Sequence, residues 1–187
     1  MRVIGLDAST TTIGISIIDF DGYNLTLVYN DFYKPDKDDD LLFKIKKAKM
    51  HVGNLCSLYS PDVFVIEDYV KFMKGASSAA TTIPLAVMNM TLRLMANELY
   101  ELTPQCLNVL KIRHALKLTN ELPEKHEMPE IVAYHLGLKE FPWRKKINRK
   151  KEEVIMEESY DMADAMAVAL AWIKTTQTPK IKKSRKK

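Results

Sequence analysis

Two short apolar runs in this chain each close on a carboxylate: Val3-Ile4-Gly5-Leu6 leads into Asp7, and Val63-Phe64-Val65-Ile66 into Glu67. A run that is apolar on both faces marks a strand inside a sheet, so an acid at its end stands at the rim of the core. A charge there is costly unless it is hydrated, paired or bound to a cation. A second pair, Asp161 and Asp164, lies three residues apart on a helix-like stretch near the C-terminus, a spacing that puts both on one face. Oxygen-only donors suit Mg²⁺ or Mn²⁺, whereas zinc favours His and Cys, which are few here and not at ligand spacing. Four carboxylates directed at one place imply metal-assisted phosphodiester hydrolysis, in which two ions roughly 3.5–4 Å apart hold the attacking water and the leaving oxygen in line.

The 187 residues, 47% hydrophobic and 28% charged, suit one soluble globular domain. We expect that domain over residues 1–176 and a basic, flexible tail over 177–187. No apolar run reaches the roughly 18 residues of a membrane span, and the N-terminus has no leader pattern, so a cytoplasmic protein without a membrane partner is expected. Cys56 and Cys106 have no CxxC partner and read as small core residues in a reducing compartment. The charge is unevenly distributed. Arg144, Lys145, Lys146, Arg149, Lys150 and Lys151 form one acid-free cluster, and Lys180, Lys182, Lys183, Arg185, Lys186 and Lys187 another. Twelve of the 28 lysines and arginines lie there, so the remaining 16 are outnumbered by 24 acids. An acidic body with two basic patches suits an extended anionic partner, DNA or RNA, contacted at defined places.

The pattern predicts strands over 2–8, 12–20 and 24–30, with a turn at Asp21-Gly22, then a helix over 39–60 and a buried strand over 63–67. A stretch of small residues, 74–80, leads to a long helix ending near Tyr100. That helix is apolar on more than one face, with Leu85, Met88, Leu92, Met95 and Leu99 on one stripe and Val87 and Leu94 beside it, which fits either complete burial or a dimer interface. A strand over 105–110, a charged helix or turn over 111–118, a loop over 119–129, a helix over 130–138, a basic loop over 139–151 and a final helix reaching Ile173 complete the order.

This order, with acids on the first strand, the fourth strand and the last helix, resembles the RNase H-like nucleases: an α/β fold with a mixed sheet of three antiparallel strands followed by parallel ones, flanked by helices. Within them the chain most resembles the RuvC-type Holliday junction resolvases. The resemblance rests on Ile4-Gly5-Leu6-Asp7-Ala8-Ser9-Thr10-Thr11-Thr12-Ile13-Gly14, on Val65-Ile66-Glu67-Asp68-Tyr69, and most specifically on Asp161-Met162-Ala163-Asp164 followed by alternating alanine and larger apolar residues to Ala171. It covers about residues 1–175 and implies a homodimeric endonuclease that nicks four-way DNA junctions symmetrically. Asp7, Glu67, Asp161 and Asp164 would hold two Mg²⁺ ions bridged by Asp7, and the nucleophile would be a metal-activated water. It also implies lysines at the scissile phosphate, here Lys111 and Lys125, and an aromatic that stacks on a base near the crossover, here Tyr69 or Phe72. The six cations of the 144–151 cluster are the expected DNA contacts.

The chain departs from the family pattern in two places. Arg113-His114-Ala115-Leu116-Lys117-Leu118 replaces a glycine-rich loop, and the basic segment 139–151 is extra. Asp68 should point away from Glu67, His51 and His135 read as surface residues, and His114 is a distant candidate for the phosphate. Other readings remain open. Gly5–Thr11 also resembles the phosphate-binding turn of sugar kinases and actin-like ATPases, whose nucleotide cleft needs about twice this length. The same nuclease fold can act on flaps, forks or RNA–DNA hybrids, and a non-catalytic branched-DNA-binding protein can retain it.

Overall fold

The structure, a computed structural model, describes residues 1–68 and 78–177. Five strands, β1 (Arg2–Ala8), β2 (Ile13–Phe20), β3 (Leu25–Tyr33), β4 (Val63–Glu67) and β5 (Gln105–Leu107), form one sheet in the order β3-β2-β1-β4-β5. The first three pair antiparallel as a meander, and β4 and β5 add parallel on the other side of β1. The mixed α/β architecture expected from the sequence is therefore present. No helix among the described residues is long and apolar enough to cross a membrane.

The sheet is buried on both faces because the interiors of β1, β2 and β4 are apolar on both sides, with Ser16 of β2 a buried polar exception. Ile4, Leu6, Ile13, Ile15, Ile17, Phe64 and Ile66 face a core closed by α1 (Leu41–Tyr59) and α2 (Ala79–Tyr100). Val3, Ile18 and Val65 face a second core closed by α3 (Val109–Leu116), α4 (Met128–His135) and α5 (Glu158–Thr176). The two-residue period then decides where the acids go: Val3, Gly5 and Asp7 share one face of β1, and Val63, Val65 and Glu67 share the same face of β4. Both carboxylates emerge on the side that α5 covers.

Helix α5 lies unusually close to the sheet. A β-carbon on Gly5 would fall 2.5 Å from the Ala165 carbonyl oxygen, and one on Gly14 only 1.9 Å from the Asp161 carbonyl oxygen. The helix meets these glycines with alanines: Ala163, Ala165, Ala167, Ala169 and Ala171 are all buried. Gly14 is the register partner of Asp7, so the missing side chain lets the Asp161 backbone settle beside the strand that carries Asp7.

Three segments differ from the expectation. The strand foreseen over 105–110 ends at Leu107, because Asn108 caps a helix there, its side chain accepting from the Lys111 N–H at 2.8 Å. The loop foreseen over 119–129 contains a 3-10 turn, Lys125–Glu127, closed by a reciprocal Glu124/Glu127 capping box. The basic loop is a β-hairpin, β6 (Lys145–Ile147) paired antiparallel with β7 (Glu153–Ile155).

Along α2, Met88, Leu92 and Met95 are buried, while Ile83, Val87, Met90 and Leu94 form an exposed stripe at helical spacing. One apolar face of that helix is thus core and another faces outward.

Candidate metal centre

Carboxylate oxygens of Asp7, Asp161 and Asp164 lie within 4.8 Å of one another. This acidic cluster has the donor chemistry of a hard divalent cation. Glu67 joins Asp7 and Asp164 in lining a cavity of about 320 Å³ together with Val109, Ile112, Arg113, Lys125 and Met128. The parallel register of β1 and β4 runs from Val3↔Val63 to Leu6↔Ile66, which places Asp7 and Glu67 side by side one residue further on.

Three elements hold the four acids. Past Asp7 the chain turns on Ser9, whose hydroxyl accepts from the Thr12 N–H at 2.9 Å and donates to the Thr12 carbonyl at 2.8 Å. The end of β4 is pinned by Asn89 of α2, whose side-chain amide donates to the Glu67 carbonyl at 2.8 Å. Asp161 lies in the first turn of α5, where the helix dipole favours negative charge, and Asp164 follows one turn on along the same face.

The electrostatics are those of a site short of positive charge. Burial raises the Asp7 carboxyl well above the usual aspartate range, and the charges of Glu67, Asp164 and Asp161 raise it further. Glu67 is pushed up to about 7 by burial and then by Asp164. Burial also raises Asp161 and Asp164, against the lowering effect of Lys125. The Lys125 ammonium lies 3.3 Å from Asp164 Oδ2 and 3.8 Å from Asp161 Oδ1. Burial would lower its pKa, but the charges of Asp164, Asp161 and Asp7 outweigh it and the net shift is upward.

The structure thus brings Asp7, Glu67, Asp161, Asp164 and Lys125 together. Lys111 instead lines a separate cavity with Leu107, His114, Ala115, Ala171 and Thr175. The helical period explains this: with α3 starting at Val109, residues 109, 112 and 113 share the face toward the acids, and the cation there is Arg113. Sequence reasoning missed Arg113. The Asn108 cap was the available signal, since it sets the phase of the helix. Tyr69, Phe72 and the basic tail 180–187 lie outside the described residues. Arg144, Lys145, Lys146, Arg149, Lys150 and Lys151 are exposed on or beside the β6–β7 hairpin. The two histidines expected at the surface are half-buried. His51 stacks on Tyr33 with centroids 4.7 Å apart, and His135 binds the Leu116 carbonyl at 2.8 Å and the Lys174 ammonium at 2.8 Å.

A wider groove of about 810 Å³ adjoins the acids, lined among others by Thr11, Thr12, Lys34, Lys125, Glu158 and Asp161. Lys34 forms an ion pair with Glu158 across it.

No protein-family model matches the chain. Among curated proteins it is 23% identical over 173 residues to the crossover junction endodeoxyribonuclease RuvC of Fusobacterium nucleatum, covering 92% of this chain and 80% of that protein. It is 24% identical over 173 residues to the protein of the same name from Caldanaerobacter subterraneus, covering 91% and 90%. Among solved structures, T. thermophilus RuvC in complex with a Holliday junction substrate superposes with a TM-score of 0.72 over 93% of this chain and 94% of that one, at 18% identity. The fold is that of RuvC, an RNase H-like fold. The acids sit at the ends of β1 and β4 and on the last helix, as the resemblance in the sequence implied.

Proposed function

We propose that this chain is a divalent-metal-dependent endonuclease that resolves four-way DNA junctions by paired, symmetric nicks, acting as a homodimer. The observation that carries the reading is the convergence of Asp7, Asp161 and Asp164 within 4.8 Å, with Glu67 on the same cavity, on a fold shared with a resolvase solved on a Holliday junction. Mutually repelling carboxylates held above their ordinary pKa range serve no packing purpose; a cation relieves them.

Asp7, Glu67, Asp161 and Asp164 would hold two Mg²⁺ ions, with Mn²⁺ able to substitute. Bound there, the metal supplies Lewis-acid activation of water and neutralises charge at the scissile phosphate. Lys125 and Arg113 direct cationic groups into the same cavity, where they stabilise the extra negative charge of a phosphodiester under attack. Asp7 and Glu67 are fixed by strands and Asp161 and Asp164 by a buried helix, so the oxygens need little rearrangement on loading. Symmetric nicking requires two copies of the site, and the exposed Ile83, Val87, Met90 and Leu94 stripe of α2 offers a self-complementary apolar face for a two-fold pair.

The test is cleavage of a labelled four-way junction in Mg²⁺, beside linear duplex, flap and RNA–DNA hybrid, by the wild-type protein and Asp164→Asn. Symmetric nicks confined to the junction and absent in the variant support the proposal. Preferred cutting of another substrate moves the specificity within the same fold, and binding without cutting in every metal overturns the enzymatic reading.

A further inference from the structure

We infer that the β6–β7 hairpin is a pre-shaped grip for the phosphate backbone of duplex DNA, and that four of its six cations, Lys146, Arg149, Lys150 and Lys151, make the contacts. The inference rests on the reading of the chain as a branched-DNA endonuclease, and it concerns affinity rather than chemistry.

The two other cations are already committed. Arg144 ties the hairpin to the body, its guanidinium 2.9 Å from Asp31 Oδ2, while its backbone N–H donates to Ser159 Oγ at 3.0 Å and its carbonyl accepts from the Met156 N–H at 2.8 Å. Lys145 is paired with Glu153 across the hairpin at 2.9 Å. Among the described residues, Lys146, Arg149, Lys150 and Lys151 hold no ion pair and are exposed.

The tip that carries three of them is a built turn. Asn148 Oδ1 accepts from the N–H groups of Lys150 at 2.8 Å and Glu152 at 2.9 Å, and its amide donates to Glu152 Oε2 at 2.8 Å. The Lys151 N–H closes on the Asn148 carbonyl at 3.0 Å, with Lys151 in the left-handed region at φ 63°. A side-chain-bearing residue rarely adopts that conformation unless its surroundings impose it. The turn therefore holds three consecutive cations together against their own repulsion, where a loose loop would let them spread. An anionic surface with regularly spaced charges compensates that arrangement, and duplex DNA presents one. Exposed antiparallel ribbons are an established way for proteins to approach a duplex.

The root of the hairpin also places it usefully. Ser159, which it grips, follows Glu158 directly and lies two residues before Asp161. Glu158 lines the groove beside the acids. A duplex arm held on the hairpin thus reaches the rim of the groove that leads to the metal centre.

The test is fluorescence anisotropy of a labelled four-way junction in EDTA across 50–200 mM salt. Lys146→Gln/Arg149→Gln/Lys150→Gln/Lys151→Gln is compared with wild type and with Lys145→Gln/Glu153→Gln. At about 0.9 of a logarithmic unit of salt slope per phosphate contact, the quadruple variant loses about three to four units of slope, so its deficit against wild type widens about a hundredfold from 200 to 50 mM. The charge-neutral Lys145/Glu153 pair keeps the wild-type slope, and circular dichroism and thermal unfolding of the quadruple variant match wild type. An unchanged slope in the quadruple variant, with wild type binding normally, overturns the grip and leaves the nuclease reading standing. Loss of self-association in place of salt slope makes the hairpin a contact between copies and likewise overturns it. Absence of junction binding by wild type removes both.

Discussion

Glu67→Gln should make the metal-free protein more stable while destroying its activity. In the folded chain Glu67 has a pKa of about 7, against an ordinary value of 4.5, because burial and the Asp164 charge disfavour its ionised form. The folded state therefore binds a proton between those values that the unfolded state has already released. Stability contributed by that proton is present at low pH and drains away as pH rises from about 4.5 to 7. At about 1.4 kcal/mol per unit, the full difference is on the order of 3 kcal/mol. Some of it belongs jointly to Asp164 and Asp7, so a neutral amide should recover about 2–3 kcal/mol above pH 7. For a chain of this size that raises Tm by about 4–12 °C. The assay is thermal unfolding in EDTA at pH 5 and pH 8. The gap should be small at pH 5 and full at pH 8, and saturating Mg²⁺ at pH 8 should shrink or reverse it, because the ion stabilises the wild-type protein selectively. Equal Tm values for wild type and Glu67→Gln at pH 8 in EDTA would refute the reasoning.

Lys125→Met removes the ammonium that stands 3.3 Å from Asp164 and 3.8 Å from Asp161; nicking should slow by about 10²–10³-fold while junction affinity in EDTA changes only a few-fold, and single-turnover kinetics beside anisotropy separate the two. Gly14→Ala forces a methyl group into the Asp161 carbonyl, so unfolding should show a loss of at least about 1–3 kcal/mol and the half-saturating Mg²⁺ concentration should rise, whereas an unchanged Tm would mean that α5 is not seated where it is described. Because the ligand acids must be ionised to bind metal, the Mg²⁺ requirement should climb as pH falls through about 7, the Glu67 value, approaching tenfold per pH unit for each proton displaced; Mg²⁺ titrations of rate at pH 6, 7 and 8 that coincide would contradict this.

Much of the centre was legible in the sequence because its acids close elements with strong periodic signals. Val3–Leu6 and Val63–Ile66, short and rich in β-branched residues, read as buried strands, and the two-residue period of a strand fixes the face on which Asp7 and Glu67 emerge. The Asp161/Asp164 spacing fixes a helix face just as firmly. Lys111 and Arg113 show where this stops. Cys106–Leu110, apolar except for Asn108, reads as a continued strand, whereas the Asn108 side chain caps a helix by accepting from the Lys111 N–H, and the phase of that helix turns Arg113 toward the acids. The hairpin was hidden for a related reason: its strands have three residues each, too short for an alternation to register, and its turn is set by Asn148 rather than by glycine. His135 meets Lys174, 39 residues away, a contact that no local pattern reports.

The placement of the carboxylates and the smallness of their neighbours are one feature rather than two. An acid on α5 can share a cation with Asp7 only if the helix backbone comes nearer the sheet than ordinary side chains allow, and Gly5, Gly14 and the buried alanines provide that approach. The same close packing makes α5 a rigid base whose N-terminal end carries the acids and, through Ser159, the hairpin. Rigidity suits the acids, which must hold their oxygens within a few ångströms despite repulsion. Exposure suits the proposed grip, whose cations would meet a phosphate backbone only from solvent. Substitutions in the two regions should therefore be nearly additive, since sites that share no partners couple weakly. A metal-centre variant combined with the quadruple hairpin variant should lose nicking and salt slope independently, and strong coupling between the two losses would mean that DNA held on the hairpin helps to assemble the metal centre.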